Sequence, residues 1–107
     1  MDKKDFQLAP IGKLLNIVEA AGFNVKYYYD DLVFIDNTSL LFRFDKEKLD
    51  HIYLHFNTEC EPGARKKIAS FFLLKAKEEQ ITISQSSLFQ LEQIEGKEEF
   101  NIVFKES

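Results

Sequence analysis

Two histidines, a single cysteine and several adjacent carboxylates are the residues of this chain whose types could do chemistry. His51 and His55 are four residues apart, a spacing that sets two imidazoles side by side on a helix and underlies the helical zinc motif. Here they fall in an alternating, strand-like segment, where four residues span about 13 Å. One ion cannot be held by both, and with no cysteine cluster no metal site is expected. Cys60 sits near an expected helix start, and His55 can approach it around the end of the strand, so a Cys–His dyad is the enzymatic alternative. Glu59 and Glu61 flank that cysteine and disfavour a thiolate, and no nucleophile signature or oxyanion glycine loop accompanies the pair. The acidic pairs Asp30-Asp31, Glu78-Glu79 and Glu98-Glu99 point apart on a strand or turn, so none is a two-carboxylate acid/base site. The four glycines form no phosphate-binding pattern. No catalytic residue and no cofactor is assigned.

Charge excludes further classes. The net charge is −4, and residues 1–53 and 54–107 each contribute −2. The densest basic run, Arg65-Lys66-Lys67 with Lys75 and Lys77 beyond it, is flanked by Glu59, Glu61, Glu78 and Glu79 and reads as a solvated helix face. A nucleic-acid partner is therefore not expected. Asp2-Lys3-Lys4-Asp5 is followed by no long apolar run, so a secretory signal is not expected, and no stretch is long and apolar enough to span a bilayer. With one cysteine there is no internal disulfide, and a cytoplasmic setting is the default. Asn37-Thr38-Ser39 matches a glycosylation sequon but reads as a polar turn.

These residues must be positioned by the elements around them. Residues 23–58 hold nine of the fifteen aromatic residues, which marks this run as the sheet of a single domain. Before it, Ile11, Leu14, Leu15, Val18 and Ala21 recur at helical spacing and predict a helix over 10–21, started by Pro10 and stopped by Gly22. Strands are expected over 24–29, 32–36, 40–45 and 49–57. Breaks as short as Asp30-Asp31, Asn37-Thr38-Ser39 and Lys46-Glu47-Lys48 favour an antiparallel meander. A second helix is predicted over 61–79, with Pro62 and Gly63 near its start and Ala64, Ile68, Phe71, Phe72 and Ala76 on its buried stripe. Leu73 and Leu74 lie beyond that stripe and need cover from the C-terminal segment or another chain. Strands are expected again over 80–84 and 98–105. Residues 87–94 read either as a short helix opened by Ser87 and Gln90 or, preferably, as one arm of a hairpin turning at Glu95-Gly96-Lys97.

Alternation then sorts the sheet into two faces. A two-residue turn at Asp30-Asp31 places Tyr29 opposite Leu32 and Tyr27 opposite Phe34, on one face with Val25. Phe34, Phe42, Phe44 and Phe56 are expected in the core with Tyr27. Tyr28, Val33, Ile35, Leu41 and Tyr53, ringed by Lys26, Arg43, His51 and His55, are expected on the other face. If both helices pack on the Phe-rich side, this second face is left as a contact surface, since Tyr and Arg are enriched at interfaces. The partner-binding candidates are Tyr28, Val33, Leu41, Arg43, His51, Tyr53 and His55. The competing reading is that the C-terminal segment covers them.

The fold expected is α+β: a two-layer domain with an antiparallel meander backed by two helices and a C-terminal strand or hairpin. The order helix, meander, helix, strands over residues 10–105, with this size and acidic charge, resembles the type III secretion chaperone-like fold. That resemblance implies a small cytoplasmic protein, usually a homodimer, that holds a partner polypeptide. It rests on element order, size and charge and carries over no binding residue. The expected function is a non-enzymatic interaction module, adaptor-like or chaperone-like, binding another protein or its own copy. An inhibitor or immunity-type protein facing a basic partner is one alternative, and a small enzyme or ligand-binding domain using Cys60 and His55 is another.

Overall fold

A computed structural model describes residues 11–29, 31–35, 39–48, 50–96 and 100–105, with the side chains of Tyr27, Tyr29, Gln93 and Phe100 outside that description. Helix α1 spans Ile11–Ala20 and buries Leu14, Ile17 and Val18. It ends in a Schellman motif: the Phe23 amide reaches the Val18 carbonyl at 3.0 Å, the Gly22 amide reaches Glu19 at 3.0 Å, and Gly22 takes φ 87. Phe23 is thereby turned back so that its ring stacks on Phe72 at 6.4 Å. Pro10, the expected first helical residue, lies outside the described residues.

Strands β1 (Val25–Tyr29), β2 (Leu32–Ile35), β3 (Leu40–Phe44) and β4 (His51–Phe56) form the expected antiparallel meander. Tyr29 does pair with Leu32 and Tyr27 with Phe34. Two points differ from the expected faces. A register shift between Val25 and Tyr27 brings Val25 opposite Ile35, because a bulge adds one residue and reverses the phase beyond it. Across the next turn Val33 pairs with Phe42 and Phe34 with Leu41. Val33 and Ile35 therefore lie in the helix-side core, at 0% and 3% exposure, while Phe34 shares the opposite face with Leu41. The step from β2 to β3 fixes this phase, and a slip of one residue exchanges every side chain between faces. Aromatic content alone does not choose between Val33 and Phe34.

Helix α2 (Pro62–Glu78) packs Ala69, Phe72 and Ala76 onto the sheet, with Phe72 edge-on to Phe42 at 5.0 Å. It closes in a second Schellman motif, with Ile81 to Ala76 at 3.0 Å and Gln80 to Lys77 at 3.2 Å, and here Gln80 rather than glycine takes the positive φ of 63. The chain then returns as β5 (Thr82–Gln85), which pairs parallel with β4, as a connection through a helix allows. The sheet is five-stranded in the order β1-β2-β3-β4-β5. Residues 87–94 resolve to strand: β6 (Leu88–Gln93) and β7 (Phe100–Lys105) form a separate antiparallel hairpin. Gly96 lies in its turn with φ 79, and Lys97 lies outside the described residues. The fold is thus mixed α+β: the described residues form a five-stranded sheet, two helices and a C-terminal hairpin.

Candidate functional site

The face of the sheet away from the helices carries a continuous set of polar contacts built outward from β3 and β4. Direct pairing sets Arg43 opposite Tyr53 and Leu41 opposite His55. The Arg43 guanidinium lies over the Tyr53 ring, 4.5 Å from its centroid, a cation–π arrangement. Its Nε–H donates to His55 Nε2 at 3.2 Å. The other imidazole nitrogen, Nδ1, donates to the Ser87 carbonyl at 2.7 Å. Arginine can only donate and a carbonyl only accept, so His55 is the neutral tautomer with its proton on Nδ1. Burial holds its pKa below the ordinary histidine value; the Ser87 bond opposes that shift, the Arg43 charge adds to it and the Asp31 charge opposes it.

Asp45 anchors the other end. Its Oδ2 accepts the Tyr53 hydroxyl proton at 2.7 Å, and its Oδ1 accepts the backbone N–H groups of Glu47 at 2.7 Å and Lys48 at 3.0 Å. This is an Asx-type turn, the usual way an aspartate closes a short polar break. The Lys48 N–H, then the Tyr53 hydroxyl, then the Glu47 N–H stabilise the carboxylate and pull its pKa down to about 2. The same bond raises the Tyr53 pKa, since the hydroxyl must keep its proton to donate; burial and the Asp45 charge add to this. His51 stands beside Tyr53 with ring centroids 4.7 Å apart, and its Nε2 lies 3.0 Å from Ser84 Oγ on β5.

Asp31, Arg43, Phe44, Asp45, Lys46, Glu47 and Tyr53 line an open groove of about 300 Å³. Among the described residues, no acceptor meets the terminal nitrogens of Arg43. The groove therefore presents a guanidinium fixed at its Nε and by its flat face, with its outer donors open. Asp45, Tyr53 and His55 are engaged with one another and with Arg43. Asp45 accepts three hydrogen bonds, Tyr53 donates its hydroxyl to Asp45, and the His55 lone pair is filled by Arg43. The arrangement positions a cation beside the Asp31 and Glu47 carboxylates on the groove's rim.

The expected surface residues divide. Arg43, His51 and Tyr53 are half-buried and sit together on this face. Leu41 and His55 belong to the same face but are 1% exposed. The hairpin provides cover, with the Phe104 ring 4.6 Å from the His55 ring and Phe89 only 2% exposed. Val33 is in the core on the other side. Tyr28 is 42% exposed but pairs with Val33 on edge strand β1, so it is not part of the Arg43–Tyr53 set. Asp45, Asp31, Glu47 and Ser87 were not legible as site residues. For Asp45 the signal was present in Asp45-Lys46-Glu47-Lys48, a turn opened by the side chain best suited to close it.

Cys60 joins the helix-side core cluster, at 9% exposure, and its Sγ faces the Glu61 carbonyl at 3.9 Å. His55 points to the opposite side of the sheet with both nitrogens engaged, so the structure does not assemble a Cys60–His55 dyad. No group of three or more potential metal ligands occurs among the described residues. Arg65 ties its own helix start, donating from Nε to the Cys60 carbonyl at 2.7 Å, which leaves Lys66 and Lys67 as the exposed part of the basic run. Among the described residues, no helix is long and apolar enough to cross a membrane. Leu73 and Leu74 are 39% and 58% exposed on α2, so the hairpin does not cover them. A second, more apolar groove of about 250 Å³ runs between the end of α1 and α2, lined by Ala20, Ala21, Phe23, Lys67, Ile68, Phe71 and Phe72. Comparison with known proteins finds no matching family model, no matching curated protein and no matching solved structure.

Proposed function

We propose that this chain is a non-enzymatic protein-interaction module that holds a partner polypeptide in the Arg43–Tyr53 groove. The observation that carries the reading is the Arg43 guanidinium, held over Tyr53 and pinned by His55, with its terminal donors facing an open groove. Such a group has already lost much of its rotamer freedom, so less is lost on binding, and Arg and Tyr are the residue types that concentrate binding energy at interfaces. The rim mixes Arg43 and Lys46 with Asp31, Asp45 and Glu47. That balance suits a polypeptide offering backbone carbonyls or a carboxylate to Arg43, and suits a phosphate-rich polymer poorly. An adaptor or chaperone-like role in the cytoplasm is the specific version that the chain's size and charge favour.

A photo-crosslinking residue at Lys46, expressed in the native cells, tests the groove directly. The reading expects a discrete crosslinked polypeptide that disappears when Arg43→Ala is added. A crosslink indifferent to Arg43 counts against it. A second contact surface is favoured by the exposure of Leu73 and Leu74 on α2, and self-association into a homodimer is the reading for it. Light scattering on purified protein checks this: Leu74→Glu should convert a dimer to a monomer, and a wild-type monomer removes the idea.

A further inference from the structure

The β6–β7 hairpin meets the rest of the molecule at the end of β4, with Leu88 packed against the helix-side core. Beyond β5, the Ser86 amide still bonds the Leu54 carbonyl at 2.9 Å, and the ladder resumes at the Asn57–Phe89 bridge, where the Thr58 amide meets the Phe89 carbonyl at 2.9 Å. Between these points the Ser87 carbonyl has no strand partner, and the His55 side chain fills the gap with its Nδ1–H. The same ring supports Phe104 of β7. One imidazole therefore ties the link that leads into β6, and Phe104 of β7, to β4. A two-stranded ribbon is marginal by itself, so the arm depends on this joint together with the Thr58–Phe89 bond and the packing of Leu88.

The joint requires a neutral ring. Nε2 accepts the Arg43 Nε–H at 3.2 Å. A proton added to Nε2 sets two N–H donors against each other and two positive charges side by side, in a site only 1% exposed. The charged groups that reach the ring are few. Arg43 on β3 opposes the imidazolium, and Asp31, just before β2, favours it. Leu41 from β3, Ser87 from the β5–β6 link, and Phe89 and Phe104 from the hairpin bring no charge. On β4 Tyr53, and just beyond its end Asn57, are uncharged neighbours, and the titratable His51 stands beyond Tyr53 against Ser84. Burial, the largest influence, and the Arg43 charge outweigh the Ser87 carbonyl and Asp31, so a buried imidazolium is disfavoured.

We propose that His55 is an acid-released latch: protonation at Nε2 breaks its bond with Arg43, expels the ring from its site, and detaches the β6–β7 hairpin from the outer face of the sheet. Detachment uncovers Leu41 and the inner side of Phe89, and it frees Arg43 from the contact that pins it. The inference is independent of what occupies the groove beside it.

A heteronuclear NMR titration tests this, running from about pH 7.5 to about pH 4.5 so as to span the ordinary histidine range. It follows the His55 ring together with backbone amides of 88–92, 101–105 and α2. The expected result is one step in which the hairpin amides shift with the His55 ring while the α2 amides hold their positions. His55→Gln keeps a donor and an acceptor without a titratable group, and its hairpin amides should stay put over the same range. Arg43→Met removes the opposing donor and charge, so the ring should titrate at higher pH and the hairpin step should shrink. Hairpin amides that ignore the His55 titration overturn the latch, as does an unchanged hairpin step in His55→Gln. If the glutamine variant fails to fold, the Arg43→Met titration decides: an unmoved His55 midpoint with a full hairpin step overturns the proposal.

Discussion

At the scale of the residue, protonation states are set by who donates to whom. His55 must accept from Arg43, so its folded-state pKa lies below its unfolded value of 6.5. A group stabilised in its neutral form supports folding fully above the unfolded pKa and loses that support as pH falls towards the folded value. Urea midpoints should therefore decline as pH drops below about 6.5, and His55→Gln should flatten that decline. Asp45 follows the opposite chemistry with the same direction. Its charged form is the one stabilised, so its contribution is present above 3.8 and is lost as pH falls to about 2. Asp45→Asn should remove the steepest part of the acid transition in that window, read by circular dichroism across the acid range. Alternation in the sequence placed Arg43, His51, Tyr53 and His55 on one face without help from the structure. Which of them would be buried was not legible, because that depends on a hairpin many residues further along the chain.

At the scale of the element, two helix ends use the same cap with different residues. Gly22 takes its positive φ at little cost, whereas Gln80 holds φ 63 with a side chain. Left-handed backbone costs an ordinary residue roughly 1–2 kcal/mol, so Gln80→Gly should raise stability by about 1 kcal/mol and Gly22→Ala should lower it by a similar amount. Equilibrium urea unfolding measures both, and equal effects of one sign would contradict the shared cap. The strands show where pattern reading stops. β3 and β4 were legible because Phe42, Phe44, Ile52, Leu54 and Phe56 alternate with polar residues. In β2 every residue of Leu32-Val33-Phe34-Ile35 is apolar, and both phases look equally good. Pairing of Val33 with Phe42 resolves it, and hydrophobicity along β2 does not name that pairing.

At the scale of the whole molecule, β4 is the spine. It pairs antiparallel with β3 and parallel with β5, and beyond its end Asn57 bridges to β6. The helix-side face of β4 supplies Ile52, Leu54 and Phe56 to the core, and its other face supplies His51, Tyr53 and His55 to the polar set. Phe89 anchors the hairpin, at 2% exposure. Phe89→Ala should cost about 3 kcal/mol or more in urea unfolding, and a loss much smaller than that would mean the hairpin contributes little to the fold. The parallel return of β5 through α2 was not anticipated from the alternation of 80–84, since a strand's own pattern does not name its neighbour.

The central claim is that Arg43, held between Tyr53 and His55, is where a partner polypeptide is gripped. Affinity capture from the native cells, with wild type and Arg43→Ala compared at equal folded concentration, measures it most directly. The account predicts a specific partner whose recovery falls by about tenfold or more in Arg43→Ala. Equal recovery of that partner by both proteins would contradict it.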